Sequence, residues 1–528
     1  MASHGTDDRT NGLYIKQVQG HQRRFDKLLQ FTSSSTKAAA IMLLAAIVAL
    51  LVANLGDHEA FLHFWHTDVT LGFGDAVGHM SLAHIINDVL MAVFFLLVGL
   101  EIKYEMTVGE LTNIRQALLP IIAAVGGVCM PIVIYLAFNF ANPDSVHGWG
   151  VPTATDIAFA LGIMALLGNR VPNGVRVFLS TLAVADDIIA IIVIAVFYGN
   201  APSFAWLAAA AVVLAVLIVM NRMHVYSLAP YLLVGVVLWA CVFMSGVHST
   251  IAGVLLAFTI PTGSRIDLAS FADWSGKKVR QANEAFRPDE PVMGQGDYIH
   301  HVHGLSTVAR QVVPPATRLE HALNPWVNFI ILPLFALTNA DVALAGGSGN
   351  LLADPVLLGV FFGLLVGKPV GIMLFSFITV KAKIASLPEH VRWMHMLGAG
   401  ILGGVGFTMA IFVANLAFED AAMVTTAKVG ILSASALAGI IGFVFLWLQA
   451  KKDKARGVAY VTTNSDEITR QTAGAEAARA GEELLAEVGS PLLDAELEAA
   501  RREQGVTELV VELGEDGLRS DHPAARRD

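Results

Sequence analysis

Two adjacent aspartates, Asp186 and Asp187, lie inside an apolar run that covers residues 177–197. At a helical rise of about 1.5 Å per residue, the pair is roughly 15 Å from Arg176 and roughly 16 Å from Tyr198. Both carboxyl groups are therefore predicted near the middle of a hydrocarbon layer about 30 Å thick. One aspartate at that depth costs about 2.5–3.5 kcal/mol, so the pair costs on the order of 5–7 kcal/mol. Such a cost indicates a cation or proton site rather than a packing role.

The two carboxyl groups have the chemistry that cation–proton exchange requires. Consecutive side chains on a helix point about 100° apart, so one aspartate can face a cavity while its neighbour faces a partner. Burial and a neighbouring like charge both favour the protonated form of a carboxyl group, and hard cations such as Na+ or Li+ prefer oxygen ligands. Protons and the cation would then compete for the same oxygens of Asp186 and Asp187. With alternating access, this competition predicts exchange rather than co-transport.

Four further ionisable groups lie within apolar segments: Asp88, Asp156, His248 and Lys368. A lysine and an aspartate cost least in an apolar environment when they are partners, so pairing of Lys368 with Asp186 or Asp187 is predicted. For Asp88 and Lys368, a purely structural pairing that holds helices together is the alternative. That alternative is weakest for the two adjacent aspartates taken as a unit.

Two apolar segments contain residues that resist a regular helix. One is Gly150-Val-Pro-Thr-Ala-Thr-Asp156, and the other is Gly403-Gly-Val-Gly-Phe-Thr408. In transporters with inverted repeats, paired broken helices leave carbonyl groups and helix ends facing a site at the midplane. Asp156 and Lys368 are placed to compensate the partial charges of such helix ends. A simple kink is the alternative for either segment alone, whereas the two together favour a transporter.

Composition and hydropathy set the class of protein. The chain has 528 residues, of which 55% are hydrophobic and 15% charged, and its mean hydropathy is +0.61. These values favour an all-α polytopic membrane protein over a soluble enzyme. Apolar runs predict twelve transmembrane helices, at 38–54, 82–102, 118–139, 148–168, 177–198, 205–221, 229–243, 246–260, 325–340, 356–379, 394–417 and 426–449. The division between the seventh and the eighth stays open because both are short.

Lysine and arginine residues indicate the orientation of these helices. The odd-numbered gaps between them contain no lysine or arginine, whereas the other side carries many, including Arg23 and the pair Lys451-Lys452. By the positive-inside rule, both termini are predicted to be cytoplasmic. The outer loop at 55–81 contains an alternating stretch at 68–73, which predicts a short hairpin.

The chain divides into a membrane domain and three other segments. We expect a cytoplasmic N-terminal segment at 1–36, a transmembrane antiporter domain at 37–450 with a cytoplasmic insertion at 262–316, and an acidic cytoplasmic tail at 451–528. The N-terminus shows no signal peptide, and neither the insertion nor the tail carries a recognisable catalytic motif. Both cysteines lie in apolar segments, so neither a disulfide framework nor a zinc site is predicted. Nothing in the sequence indicates a nucleic-acid partner.

Eight stretches resemble the NhaA family of bacterial sodium/proton antiporters, and they occur in the family's order. They read INDVLMAVFFLLVGLEIK at 86–103, ATDIAFALG at 154–162, LAVADD at 182–187, SGVH at 245–248, RLEH at 318–321, PWV at 325–327, GKP at 367–369 and GVGFTMAI at 404–411. The resemblance covers roughly residues 35–455. The insertion at 262–316 and the tail beyond about residue 456 exceed the compact core of the family.

The resemblance implies an electrogenic antiporter that expels Na+ or Li+ and admits protons, with more protons than cations moved per cycle and with a response to pH. It implies inverted repeats with two discontinuous, crossing helices in a bacterial inner membrane, and no cofactor. The outer loop at 55–81 matches the family's dimer-forming region, so a homodimer is expected.

The resemblance also implies roles for individual residues. Asp186 and Asp187 match the cation and proton site, where Na+ would bind, and Lys368 matches the lysine that pairs with the first of them. Thr155 and Asp156 match the crossing of the broken helices.

Other ionisable residues match positions away from that centre. Asp88 is expected to be an accessory intramembrane group. Glu101, Glu105, His248 and Glu320 match positions tied to the pH response near a cytoplasmic funnel. For His248, a satisfied histidine at a helix end is an equal alternative.

Three other classes of protein fit parts of the sequence less well. Gly72-Phe-Gly-Asp75 satisfies the Gly-x-Gly-Asp pattern of intramembrane aspartyl proteases, but Asp75 lies in a polar loop. A symporter for an organic solute would need groups suited to a solute carboxylate or amine, and Lys368 is the only lysine or arginine near the midplane. That same lysine argues against a passive cation channel. The sequence leaves open the preference among Na+, Li+ and K+, the pH range of transport, and the roles of the insertion and the tail.

Overall fold

The structure is a computed structural model that describes residues 35–56, 58–73, 76–112, 114–199, 202–263, 266, 268–342, 353–388 and 390–456. Residues 1–34 of the expected N-terminal segment and the tail from residue 457 lie outside the described residues. Helices account for nearly all of the secondary structure that is described, as expected for an all-α membrane protein.

The described helices are, in chain order, α1 (Ser35–Leu55), α2 (His58–Trp65), α3 (Leu82–Thr107), α4 (Ile114–Asn139), α5 (Pro143–Thr153), α6 (Ile157–Leu166), α7 (Asn173–Phe197), α8 (Phe204–Arg222), α9 (Leu228–Met244), α10 (Thr250–Thr259), α11 (Leu268–Ala285), α12 (Gly296–Val312), α13 (Pro315–Asn339), α14 (Pro355–Lys381), α15 (Trp393–Gly403), α16 (Phe407–Ala417) and α17 (Ala421–Ala455). Short 3-10 turns lie at Glu110–Thr112, Gly168–Arg170 and Val292–Gly294.

Eight of the described helices are long and apolar enough to cross a membrane: α1, α3, α4, α7, α8, α13, α14 and α17. The bent pairs α5–α6 and α15–α16 raise the number to ten if each pair is one span. A helix satisfies its own backbone hydrogen bonds, which lipid cannot do. The chain is therefore a multi-pass membrane protein. The predicted seventh and eighth spans correspond to shorter apolar helices, α9 with 17 residues and α10 with 10, so length alone does not establish twelve spans.

The predicted hairpin forms between α2 and α3. Strands β1 (Asp68–Phe73) and β2 (Ala76–Ser81) pair antiparallel, with Asp68 opposite Ser81. Beyond the last pair, the backbone N–H of Leu82 donates to the carbonyl of Thr67 at 3.2 Å. The chain thus enters and leaves the hairpin at one place.

Both broken helices bend at the glycine- or proline-containing stretch that the sequence indicated. The second part of α5 is a 3-10 turn with Pro152 inside it, and α6 starts after residues 154–156 at an angle of 43°. Residues 404–406 separate α15 from α16, which meet at 46°. Proline lacks an N–H for the helical ladder, and glycine lowers helix propensity, so both stretches interrupt the helices locally.

Glycines allow two pairs of helices to pack backbone against backbone. A Cβ atom on Gly371 of α14 would lie 2.0 Å from the carbonyl oxygen of Gly126 on α4. Likewise, a Cβ on Gly253 of α10 would lie 2.3 Å from the carbonyl oxygen of Ala92 on α3. Small residues at such contacts are typical of membrane helices, where packing rather than a hydrophobic effect drives association. The α4–α14 contact fixes the helix that carries Lys368.

Wide π-helical turns occur in three of the long helices, at Ile85–Leu90, Val327–Ile331 and Gly363–Gly367. In α13 and α14 a proline, Pro325 or Pro369, lies within two residues of the turn and removes one N–H from the helical ladder. The π turns contain Asp88 and Asn328, and Lys368 directly follows the third. Such turns occur frequently at functional sites, because they rotate the side chains that follow them.

The chain divides into two compact units, of residues 1–271 with 303–461 and of residues 272–302 with 462–528. In the second unit, the described residues belong to the insertion. There the amide of Gln295 accepts from the N–H of Arg287 at 3.0 Å and donates to the carbonyls of Arg287 and Glu290 at 2.7 Å. These bonds fix the turn between α11 and α12.

Candidate cation and proton site

Asp186 and Lys368 form a buried ion pair between α7 and α14. Lys368 Nζ donates to Asp186 Oδ2 at 2.5 Å, and the side chains of the lysine and the aspartate are 1% and 2% exposed. Lys368 also donates to the hydroxyl of Thr155, which donates to the carbonyl of Gly403 at 3.0 Å. The lysine therefore connects α7 to the breaks of both bent helices. The other carboxylate oxygen of Asp186, Oδ1, is buried and accepts no hydrogen bond from the described residues.

Asp156 joins the two breaks directly. Its Oδ2 accepts from the hydroxyl of Thr408 at 2.5 Å and from the backbone N–H of Thr408 at 3.2 Å, while Oδ1 caps α6 by accepting from the N–H of Phe159 at 2.9 Å. The N–H of Asp156 donates to the carbonyl of Val405 at 2.8 Å. Asp156 and Thr408 are both buried. A carboxylate thus lies at the N-terminal ends of α6 and α16, where the partial positive charge of a helix favours an anion.

Asp187 faces a cavity rather than the lysine. One residue after Asp186 on α7, its side chain points about 100° away from the ion pair. The cavity has a volume of about 170 Å³ and is lined by Asp187, Glu101, Asp156 and Thr408, among others. Among the described residues, none donates a hydrogen bond to the carboxylate of Asp187 or to that of Glu101. Asp187 therefore presents oxygens that are buried, unshared and accessible from the cavity.

Two asparagines that the sequence analysis did not single out line the same cavity. Asn324 and Asn328 lie four residues apart on α13, and the Nδ2 of Asn328 donates to the Oδ1 of Asn324. The predicted ninth span, 325–340, begins one residue after Asn324. The signal in the sequence that could have identified them is their spacing: two amide side chains one helical turn apart, at the start of an apolar segment.

The three glutamates that the resemblance links to a pH response, Glu101, Glu105 and Glu320, lie near one end of α3. Glu320 and Glu105 are acidic neighbours of Glu101. Glu105 also lines a second cavity, of about 410 Å³, opposite Arg176. Lys103 donates to the carbonyls that end α10, including that of Phe258 at 2.8 Å. This end of α3 is thus acidic on one face and is tied to α10 on another.

His248 lies apart from the three glutamates with which the resemblance grouped it. It is a neighbour of Asp88, near the other end of α3. His248 Nε2 donates to the carbonyl of Tyr198, and His84 Nε2 lies 3.1 Å from Asp88 Oδ2. The reason is the direction of α10, which starts just after His248 beside Asp88 and ends beside Lys103. His248 and Asp88 form a cluster separate from Glu101.

Comparison with known proteins places this arrangement in a family. The family model described as Na+/H+ antiporter 1 matches residues 29–446. The Na(+)/H(+) antiporter NhaA of Wolinella succinogenes is 44% identical over 429 residues, which are 81% of this chain and 94% of that protein. The proteins of the same name from Oleidesulfovibrio alaskensis and Helicobacter pylori are 45% and 44% identical, each over 80% of this chain and over 94% and 96% of their own length. The chain therefore belongs to the Na+/H+ antiporter 1 family.

Proposed function

We propose that the protein is a secondary active transporter that exchanges cytoplasmic Na+ or Li+ for external protons. One observation carries the proposal: two adjacent buried carboxylates have different partners. Asp186 is held by Lys368 at 2.5 Å, whereas Asp187 presents unshared oxygens to a cavity. A fixed charge pair beside a free carboxylate is an arrangement in which a cation and a proton can replace each other.

The proposed cycle follows from the charges. Na+ enters the cavity, loses water and binds Asp187, and any proton there leaves to the same side. The cation also competes with the ammonium group of Lys368 for Asp186, which weakens the ion pair that connects α7 to the two breaks. Movement at the breaks, where Asp156 and Thr408 meet, would then open the site to the other side. Protons arriving there displace the cation and restore the starting arrangement. If Lys368, displaced from Asp186 by the cation, also releases its proton on that side and regains one when the cation leaves, two protons move for each cation and the cycle moves net charge.

The lining of the cavity supports a cation as the transported solute. It contains the carboxylates of Glu101, Asp156 and Asp187, and none of its described residues is basic. An organic anion would find no cationic partner there, since Lys368 is already bonded to Asp186 and Thr155. The lining therefore favours a cation over an organic anion as the transported solute.

The proposal includes an architecture and a location. The eight long helices, two bent pairs, α9 and α10 are proposed to form twelve spans with inverted repeats, in which α5–α6 crosses α15–α16. The contacts between Asp156, Thr408 and Val405 support such a crossing. We place the protein in a bacterial inner membrane, with both termini in the cytoplasm and the hairpin outside. Exchange needs no resident cofactor, and the hairpin is proposed to join two copies.

The test measures exchange and then removes the carboxylates one at a time. In proteoliposomes or everted vesicles that hold a pH gradient, added Na+ should collapse the gradient. Asp187→Asn and Asp186→Asn should each abolish that response or reduce it severely, because an amide neither binds a proton nor carries charge. Asp273→Asn, which alters an exposed aspartate of the insertion, is the control and should leave the response unchanged. Undiminished exchange in both site variants would contradict the assignment.

A further inference from the structure

We propose that the amide pair Asn324–Asn328 supplies a neutral oxygen ligand to the cation in the Asp187 cavity and sets the affinity for Na+ relative to Li+. The inference rests on the proposed function, because the cation is the one exchanged at Asp187. The inference adds ligands from α13 to those that the aspartates on α7 and the broken helices provide.

The local structure of α13 determines where the amides point. Pro325 follows Asn324 and removes one backbone N–H, and the π turn Val327–Ile331 begins two residues later. In that turn the N–H of Leu332 donates to the carbonyl of Val327, five residues back. The wide turn brings Asn328 to the cavity wall together with Asn324.

The hydrogen bond between the amides fixes the orientation of Asn328. Its Nδ2 donates to Asn324 Oδ1, so its own carbonyl oxygen, Oδ1, is the atom of the amide that takes no part in this bond. Among the described residues, Asn328 makes no other hydrogen bond. The oxygen that remains is therefore available to a bound ion, and Asn324 holds it in place.

The chemistry of the cavity requires a ligand of this kind. A small hard cation is bound by several oxygens, and proteins combine carboxylates with neutral amide or backbone carbonyls for that purpose. Asp156 already accepts three hydrogen bonds, which leaves Asp187 and Glu101 as the unshared carboxylates. Carboxylates bind protons as well as cations, whereas an amide oxygen is not protonated near neutral pH. The amide therefore favours the cation in its competition with the proton.

A structural role for the pair is the competing explanation. Hydrogen bonds between side chains four residues apart stabilise a helix by a few tenths of a kcal/mol. Such a bond would affect the stability of α13 without distinguishing one cation from another. The dependence of the effect on the identity of the cation separates the two explanations.

The experiment uses the full-length protein in proteoliposomes, with Na+ and Li+ as probes. Asn328→Leu keeps the shape of the side chain and removes its oxygen. We expect the apparent KM for Na+ to rise about tenfold at a nearly unchanged maximal response, because one contact with a charged group is lost. The KM for Li+ should rise by a different factor, since the smaller ion needs another set of distances. Isothermal titration of Na+ into the purified variant should show the same loss of affinity.

Three further variants complete the test. Asn328→Asp keeps an oxygen and should bind Na+ more tightly than Asn328→Leu does. Asn324→Ala keeps Asn328 but removes the hydrogen bond that orients it. This variant should change the ratio of the two KM values less than Asn328→Leu does. Asn221→Leu removes an amide that bonds to the carbonyl of Thr259 outside the cavity, and should leave both KM values unchanged.

Unchanged KM values in Asn328→Leu, or equal factors for Na+ and Li+, would overturn this inference alone. Absence of a Na+ response in the unmodified protein would instead overturn the proposed function.

Discussion

The ion pair between Lys368 and Asp186 is incompletely satisfied, and this matters for how it acts. The lysine donates to Asp186 and Thr155, while Asp186 Oδ1 is buried without a partner among the described residues. Removing one member of a buried pair leaves an uncompensated charge and costs about 3–5 kcal/mol, whereas replacing both by apolar groups is often neutral. A pair of this kind is poorly suited to stabilising the fold and well suited to being broken and reformed during a cycle.

Variants of this pair should therefore show strong coupling. Lys368→Met should lower the melting temperature in detergent, because Asp186 remains buried and charged. The double variant Asp186→Asn with Lys368→Met should melt closer to the unmodified protein than Lys368→Met alone does. Both variants should lose Na+-driven exchange. Lys277→Ala, which breaks an exposed ion pair, provides the control and should change stability by about 1 kcal/mol or less. Equal melting temperatures for Lys368→Met and Lys277→Ala would contradict the coupling.

At the scale of helices, the glycine contact between α4 and α14 holds Lys368 opposite α7. The first side-chain atom of any other residue at position 371 would lie only 2.0 Å from the carbonyl oxygen of Gly126. Gly371→Ala should force the two helices apart and lower both the melting temperature and the maximal rate of exchange.

Gly276, in α11 of the insertion, has open space around its Cβ position. Gly276→Ala should stabilise α11 by up to about 1 kcal/mol. The opposite signs expected for the same chemical change make the pair a sharp test, read as melting temperatures in detergent. An unchanged or raised melting temperature in Gly371→Ala would contradict a required close approach.

The long apolar helices and the two breaks followed from the sequence, whereas the rotations of the helices did not. Apolar runs located the long helices, and the glycine- and proline-containing stretches located both bends. The residues alone left open whether Lys368 contacts Asp186 or Asp187, because the choice depends on how α7 is rotated relative to α14. Only the resemblance to the family indicated Asp186. The π turn before Lys368 affects that rotation and has no periodic signature of its own.

Polar helix ends were also difficult to predict. The ninth span was predicted to begin at residue 325, but α13 begins at Pro315, because its first turns carry Arg318 and Glu320 and do not look apolar. That boundary put Asn324 outside the predicted helix and hid the amide pair. Which residues line the cavity depends on how α3, α7 and α13 pack against one another. Residue spacing along one helix does not reveal that packing.

At the scale of the whole molecule, the hairpin is a sheet of two strands that pair with each other and with no further strand among the described residues. A two-stranded hairpin is marginally stable alone, and its outer edges offer unpaired backbone groups to another strand. Pairing with the hairpin of a second copy would stabilise the two strands and would give these backbone groups hydrogen-bond partners. The N–H of Leu82 reaches the carbonyl of Thr67 at 3.2 Å, so residues 68–81 can be replaced by a short glycine linker without moving α2 or α3.

The deletion variant should be monomeric in detergent and still exchange Na+ for protons. Light scattering coupled to size-exclusion chromatography measures the mass of the protein part, and vesicle assays measure exchange. The unmodified protein run at the same concentration is the reference, since dissociation depends on dilution. A dimer that survives the deletion would show that another surface joins the copies.

The end of α17 carries a buried contact that lies beyond the match to the family. The match to the family ends at residue 446, but the buried Asp453 accepts from His395 Nε2 at 2.9 Å and from Arg392 at 3.0 Å, at the start of α15. The last turn of α17 is therefore hydrogen-bonded to the start of α15, the first helix of a bent pair. A chain that ends after Arg456 should keep its melting temperature and its Na+ response.

A chain that ends after Ala450 should melt at a lower temperature, because the buried His395 loses its hydrogen bond to the carboxylate of Asp453, at a cost of about 1–3 kcal/mol. Loss of the basic residues 451 and 452 could produce the same result through misorientation, so Asp453→Leu in the full-length chain is the control. It removes the same contacts and should reproduce the lowered melting temperature. If both truncated chains melted like the full-length protein, the contact between Asp453 and His395 would not be what holds α15 to α17.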